Sequence, residues 1–148
     1  MKYLIILACL FAATNAVSKE FMADFVGKVR TLGDKCVGEV KAQPGDIDTL
    51  LAHKVPETHE GKCLLFCIHK NFGIQKDDGG WSLEGGLQFI EPLKADDPAM
   101  FEDLRKVGVT CSTKVEKDAD PCITAVNIAM CLVQEGKAFG ITSELFEI

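Results

Sequence analysis

Residues 56–72, PETHEGKCLLFCIHKNF, decide the fold. The stretch carries Cys63 and Cys67 on what reads as an amphipathic helix. A spacing of four residues is about one turn, so both sulfurs lie on one face, one above the other. Cβ atoms so placed are roughly 5–6 Å apart, whereas a disulfide requires about 3.5–4.5 Å. While the helix is intact, the two cysteines do not pair with each other. Each reaches a different part of the chain, and the helix becomes a hub clamped along one side.

Toward the N-terminus, the first 16 residues hold Lys2, an apolar run over 4–13, then Thr14, Asn15 and Ala16. A positive start, a short apolar core and small residues before the cut describe a cleaved secretory signal. The run is too short to cross a bilayer, which takes about 20 residues, and so is the apolar run at 123–133. Residues 1–16 are thus expected to be a signal peptide rather than an anchor, with the mature chain starting near Val17. Cleavage takes Cys9 away and leaves six cysteines, an even number in a chain bound for an oxidising compartment, which spells a disulfide framework. It also removes Lys2, so 15 basic residues face 22 acidic ones. An acidic surface without a basic run excludes nucleic acid and anionic headgroups as partners. Residues 17–148 have the size of one domain with a real core. No Asn-x-Ser/Thr acceptor occurs.

Further helices follow from periodicity and punctuation. In residues 18–40, Phe21, Phe25, Val29, Leu32, Cys36 and Val40 step by three or four, the pattern of one long helix. Gly27, Gly33 and Gly38 weaken it, and a bend is expected near Gly33. Gln43-Pro44-Gly45 breaks the chain, and Asp46 is placed to cap a short second helix to Ala52. The hub follows Pro56 and stops at Gly73, a C-terminal glycine signal. Residues 76–80, KDDGG, are turn chemistry, and Ser82 caps a fourth helix over 83–90 that carries Gly85 and Gly86. Glu91-Pro92 ends it. Asp97-Pro98 and Asp120-Pro121 each place a cap before a proline, starting a fifth helix to about Cys111 and a sixth over 122–135. The sixth is apolar almost all round, which predicts burial. Six helices and no convincing strand predict an all-α domain.

Cys122 and Cys131, nine residues apart in the sixth helix, point to opposite faces. They too cannot join each other. Of the fifteen pairings that six cysteines allow, these two exclusions leave ten. In all ten, every cysteine of the third and sixth helices is bridged to a helix other than its own.

The spacing Cys36-x26-Cys63-x3-Cys67-x43-Cys111-x10-Cys122-x8-Cys131, with the Gly-Lys-Cys-Leu-Leu-x-Cys hub, the signal peptide and the acidic charge, resembles the insect odorant-binding proteins. The x3 and x8 intervals are the specific parts, and the likeness covers the whole mature chain. It implies the pairs Cys36–Cys67, Cys63–Cys122 and Cys111–Cys131. It further implies a six-helix, disulfide-stapled bundle around an apolar cavity, secreted to carry small hydrophobic molecules such as odorants or pheromones. Such a carrier works as a monomer or weak homodimer, with an odorant receptor or other membrane protein downstream and no cofactor. The competing expectation is a secreted interaction protein on the same scaffold, in saliva, venom or the reproductive tract.

Apolar side chains available to line a cavity are Phe25 and Val29 on the first helix, Phe66 and Phe72 on the hub, Leu87 and Ile90 on the fourth, and Ile128 and Leu132 on the sixth. Each serves equally well as ordinary core. Trp81, in a loop beside glycines, is a hydrophobic plug or a pocket rim. Residues 137–148 carry Phe139, Ile141, Leu145, Phe146 and Ile148 and are expected to form a lid over the cavity mouth rather than to dock outside. Phe139 and Phe146 then join the ligand set. Acidification would neutralise Glu144, Glu147 and the terminal carboxylate and alter the lid's hold. No metal site is expected: Cys63, Cys67 and His69 lack a second ligand pair, and secreted thiols oxidise. Neither Gly-x-Ser-x-Gly nor His-Glu-x-x-His occurs, nor a His-Asp pair with a glycine-rich calcium loop, so enzymatic function is not expected.

Overall fold

The computed structural model describes residues 17–142; the signal segment 1–16 and residues 143–148, with Leu145, Phe146 and Ile148, lie outside them. Ser18 starts the first helix by accepting the N–H of Phe21 at 3.1 Å, the cap bond that a first turn requires. Helix α1, Lys19–Val40, runs uninterrupted through all three glycines. Gly33 serves a close approach: a Cβ there would lie 3.1 Å from Ile47 Cδ1, so its absence lets helix α2, Gly45–Leu51, close onto α1. Asp46 does not cap α2. Pro44 already holds helical angles and starts it, and the Asp46 carboxylate accepts the N–H of Gln43 from within the first turn.

Helix α3, His59–Asn71, is the hub. It starts at Thr58, whose hydroxyl accepts from Gly61 N–H at 3.0 Å, rather than at Pro56. Pro56 instead packs under that turn, where a Cβ on Gly61 would come within 2.5 Å of it. Gly73, at φ +75°, ends the helix, with Ile74 N–H returning to the carbonyl of His69 at 2.8 Å. Helix α4, Leu83–Ile90, is capped by Ser82. Pro92 does not stop the chain as expected. Its helical backbone seeds a one-turn helix α5, Leu93–Asp96, since proline suits the start of a helix as well as it ends one. The count is therefore seven α-helices among the described residues.

Helix α6, Pro98–Lys114, and helix α7, Pro121–Gly136, start on Asp97 and Asp120. Helix α6 outruns Cys111 by three residues because Val115 N–H still finds the Cys111 carbonyl. A 3-10 turn, Lys137–Phe139, follows α7. Helix α7 is less enclosed than its composition predicts: Met130 and Val133 remain exposed.

Helix α3 packs against α1 and α7, α6 lies on α7, and α4 lies on α6. The close-packed core joins Cys36, Ile47, Leu64, Cys67 and Ile68, with Leu32, Val40, Leu51 and Phe72 packed against it. It sits between the second half of α1, α2 and α3. Three disulfides brace it: Cys36–Cys67 joins α1 to α3, Cys63–Cys122 joins α3 to α7, and Cys111–Cys131 joins α6 to α7. Closing loops of 31, 59 and 20 residues, they contribute about 3–4 kcal/mol each by restricting the unfolded chain. A non-covalent tie joins the chain start to α5, where Ser18 N–H and Oγ–H both donate to the Asp96 carboxylate, at 2.8 and 2.6 Å. Those bonds hold that carboxyl below the usual range.

Candidate functional site

Away from the close-packed core, the first half of α1, the end of α3 and all of α4 meet through aromatic rings. Phe21 stacks on Phe25, with centroids 6.4 Å apart. Phe25 meets Phe89 at 5.4 Å, and Phe89 meets Phe72 at 4.5 Å. These are ordinary offset and tilted ring contacts, and they make one continuous row across three helices.

Every ring in the row is only half-buried. The same holds for α4 as a whole: LEGGLQFI is strongly apolar, yet no residue of it is fully buried. Leu83, Leu87, Phe89 and Ile90 each keep accessible surface. In a domain with a solid core elsewhere, apolar surface left accessible along one side of a helix can receive small apolar molecules. A recess of about 660 Å³ opens beside the row, lined by Ala23, Gly27, Thr31, Leu32 and Phe72 and rimmed by Asp24, Lys28 and Lys35.

The structure brings Phe25 and Phe72 together, bridged by Phe89. Val29, Leu87 and Ile90 are half-buried on the same helices, α1 and α4. Phe66 is half-buried on α3 with Lys70 Nζ 5.9 Å from its ring centroid. Ile128 is completely buried in α7, and Leu132 is half-buried there. Phe139 is 41% exposed, with Lys106 Nζ 5.6 Å above its ring. Phe146 lies outside the described residues. Phe89 is the contact that periodicity overlooks: Leu87 and Ile90 are three apart, and Phe89 falls between them with no local signal. Of the tail, the 3-10 turn and Gly140, at φ +72°, fold Ile141 back so that it is buried against Gly136.

Polar groups near the row form one network and one orphan. His69, on the inner side of α3, is buried with its Nδ1 2.9 Å from Gln75 Oε1. Gln75 donates its amide N–H groups to the carbonyls of Gly79 and Pro121, at 2.8 and 3.3 Å. Its oxygen is left to accept, which assigns the proton of the neutral imidazole to Nδ1. Burial lowers the His69 pKa to about 4, against a smaller rise from the Gln75 bond. The indole N–H of Trp81, by contrast, is buried with no acceptor among the described residues.

Sulfurs do cluster with other metal-binding side chains, Cys63 and Cys122 with His59 and Cys36 and Cys67 with Glu39. All four are locked in disulfides, and it is the thiolate that ligates metal. His59 Nε2 instead meets Asp120 Oδ2 at 2.7 Å, and together with the Cys122 N–H this holds the Asp120 carboxyl below its usual range.

Known proteins resemble the chain in sequence and fold. The chain is 26% identical to general odorant-binding protein 19d of Drosophila melanogaster, over 92% of its own length and 88% of that protein's. It is 28% identical to general odorant-binding protein 28a of the same organism, over 78% and 80%. The solved structure of Drosophila odorant-binding protein 28a superposes with a TM-score of 0.70 at 27% identity, covering 80% of this chain and 98% of that one. A Locusta migratoria odorant-binding protein shares the fold at a TM-score of 0.63 and 20% identity, covering 82% and 89%. The profile of the PBP/GOBP family matches residues 18–135, a span that takes in all six paired cysteines, the aromatic row and the helices that carry it: the chain belongs to the PBP/GOBP family.

Proposed function

We propose that this chain is a secreted carrier of small hydrophobic molecules, odorants, pheromones or similar volatiles, in an extracellular fluid such as sensillar lymph. The observation that carries it is the half-buried apolar surface of α1, α3 and α4, centred on Phe25, Phe72 and Phe89, beside a core that is solid elsewhere. The relatives named for odorant binding support it, and the three disulfides suit a secreted protein. The protein binds and releases; it does no covalent chemistry.

An apolar molecule of about twelve carbons gains roughly 10 kcal/mol on leaving water, at about 0.8 kcal/mol per methylene. Association costs at least about 4 kcal/mol. The difference, about 6 kcal/mol, corresponds to a dissociation constant of tens of micromolar, suited to a carrier that must also let go. Because one methylene is worth so little, affinity grades smoothly along a homologous series. Phe25, Val29, Leu87 and Ile90 contribute contacts around Phe72 and Phe89. The carrier works as a monomer or weak homodimer upstream of a membrane receptor. Displacement of a fluorescent probe from the refolded protein tests this: alcohols, esters and aldehydes of about eight to sixteen carbons compete in order of length. Competition by none of them rules it out.

The exposed Met130 and Val133 on α7 and Val109 on α6 favour a second reading, a secreted interaction protein that docks a partner through this face. Native mass spectrometry separates the two, since a carrier isolated from its source retains a small lipid.

A further inference from the structure

Trp81 is held firmly by its backbone and left unpaired at its only polar atom. An antiparallel bridge ties it to Gln75. The next residue, Ser82, donates its N–H to the Ile74 carbonyl at 2.8 Å and caps α4 through Gly85. The ring is half-buried, but Nε1 is shielded and finds no acceptor among the described residues. An indole N–H can only donate, and a buried donor without a partner forfeits a hydrogen bond that water would have supplied. Asp97 Oδ2 is also unpaired, but its other oxygen caps α6 by accepting from Met100 N–H, so local structure accounts for that side chain. Nothing local accounts for the Trp81 N–H.

The glycine pair on α4 supplies a second observation. At Gly85 a Cβ would fall 1.8 Å from the carbonyl oxygen of Gly73, so the fold itself demands glycine. At Gly86 no such demand exists: the only atom within 4 Å of a Cβ would be Trp81 Nε1, at 3.9 Å. A helix interior disfavours glycine, yet here the residue beside the unsatisfied donor carries no side chain to cover it. A ligand oxygen that enters beside Gly86 would complete the bond at the ordinary N–H···O separation of about 2.9 Å, away from water, where low polarity strengthens it.

We infer that the indole N–H of Trp81 is the specificity-determining donor of this carrier, selecting ligands with a compact oxygen acceptor, an aldehyde, ketone or ester carbonyl, over hydrocarbons of equal size. This rests on the carrier function proposed above. The chain holds one tryptophan, so a ¹⁵N-labelled sample of the full disulfide-bonded protein shows a single indole resonance. Nonanal moves that proton downfield and slows its exchange with water. Decane, with the same number of heavy atoms, displaces the probe without doing so. Trp81→Phe keeps an aromatic ring and reduces the preference for nonanal over decane by about tenfold, the worth of one hydrogen bond. Gly86→Ala, which sets a methyl 3.9 Å from Nε1 and leaves the tryptophan in place, lowers the same preference while leaving the thermal midpoint unchanged or higher. An indole shift that is alike for both ligands, or a preference that survives Trp81→Phe, overturns the inference. Failure of both ligands to displace the probe from the unaltered protein overturns the carrier function itself.

Discussion

Acidification from pH 7 to pH 4 weakens this fold through His69 by an amount that the structure specifies. The ring is buried and donates to Gln75, whose own amide is committed to the carbonyls of Gly79 and Pro121. A proton on the second ring nitrogen would place a charge where no acceptor is arranged for it. The imidazole accordingly resists protonation down to about 4, against an ordinary value of 6.5. Between those two values the unfolded chain binds a proton that the folded chain refuses. Stability from this group is complete above pH 6.5, falls as pH drops through the window, and changes no further below about 4. The span corresponds to about 3 kcal/mol at about 1.4 kcal/mol per pH unit, a large share of a typical domain's stability. Urea midpoints of the disulfide-intact protein across this range measure it. His69→Gln retains an amide that can donate to Gln75 and removes the titration, so its stability declines by about 3 kcal/mol less than the native protein's. Every other group is common to the two proteins and cancels in the difference. Parallel pH profiles for the two would refute the assignment.

Three further outcomes follow from named contacts. Gly85→Ala drives a methyl into the Gly73 carbonyl and destabilises by at least about 3 kcal/mol, whereas Gly27→Ala, with nothing within 4 Å, stabilises by up to about 1 kcal/mol; thermal midpoints of the pair distinguish them. Replacing Cys63 and Cys122 together by alanine releases the 59-residue loop and costs about 4 kcal/mol in denaturant titration, with α3 and α7 losing amide protection first. Phe89→Ala breaks the row between Phe25 and Phe72 and weakens ligand displacement by about fivefold, about 1 kcal/mol of ring contact, while Val109→Ala on the outer face of α6 leaves it unchanged.

What could be read from the chain alone was its local chemistry. Ser82, Asp97 and Asp120 announce helix starts because a cap bond spans only two or three residues, and Gly73 announces an end for the same reason. Pro92 misled because proline has two meanings, stop and start, and only the ψ of its own residue decides between them. Asp46 misled similarly, since Pro44 had already set helical angles two residues earlier. Sulfur spacing within α3 and α7 removes the intrahelical bridges but leaves ten pairings open, because choosing among them requires knowing which helices touch. His69 gives no sign in the chain of the buried link that it forms to the 74–81 loop. Phe89 and the Gly73–Gly85 approach are long-range facts. Nothing within a helical turn of either residue betrays them.

The sulfur bridges string α1, α3, α7 and α6 into one covalent series, and α4 hangs outside it. This eight-residue segment supplies Phe89 and Gly86 and carries no cysteine; side-chain contact, its Ser82 cap, the Ser82 N–H to the Ile74 carbonyl and the glycine approach to Gly73 fasten it. A tilt or a register change in α4 stretches no bond of the frame. Guests of different girth can therefore be accommodated, and new side chains tried out, in the single stretch of the wall where alteration leaves the skeleton untouched.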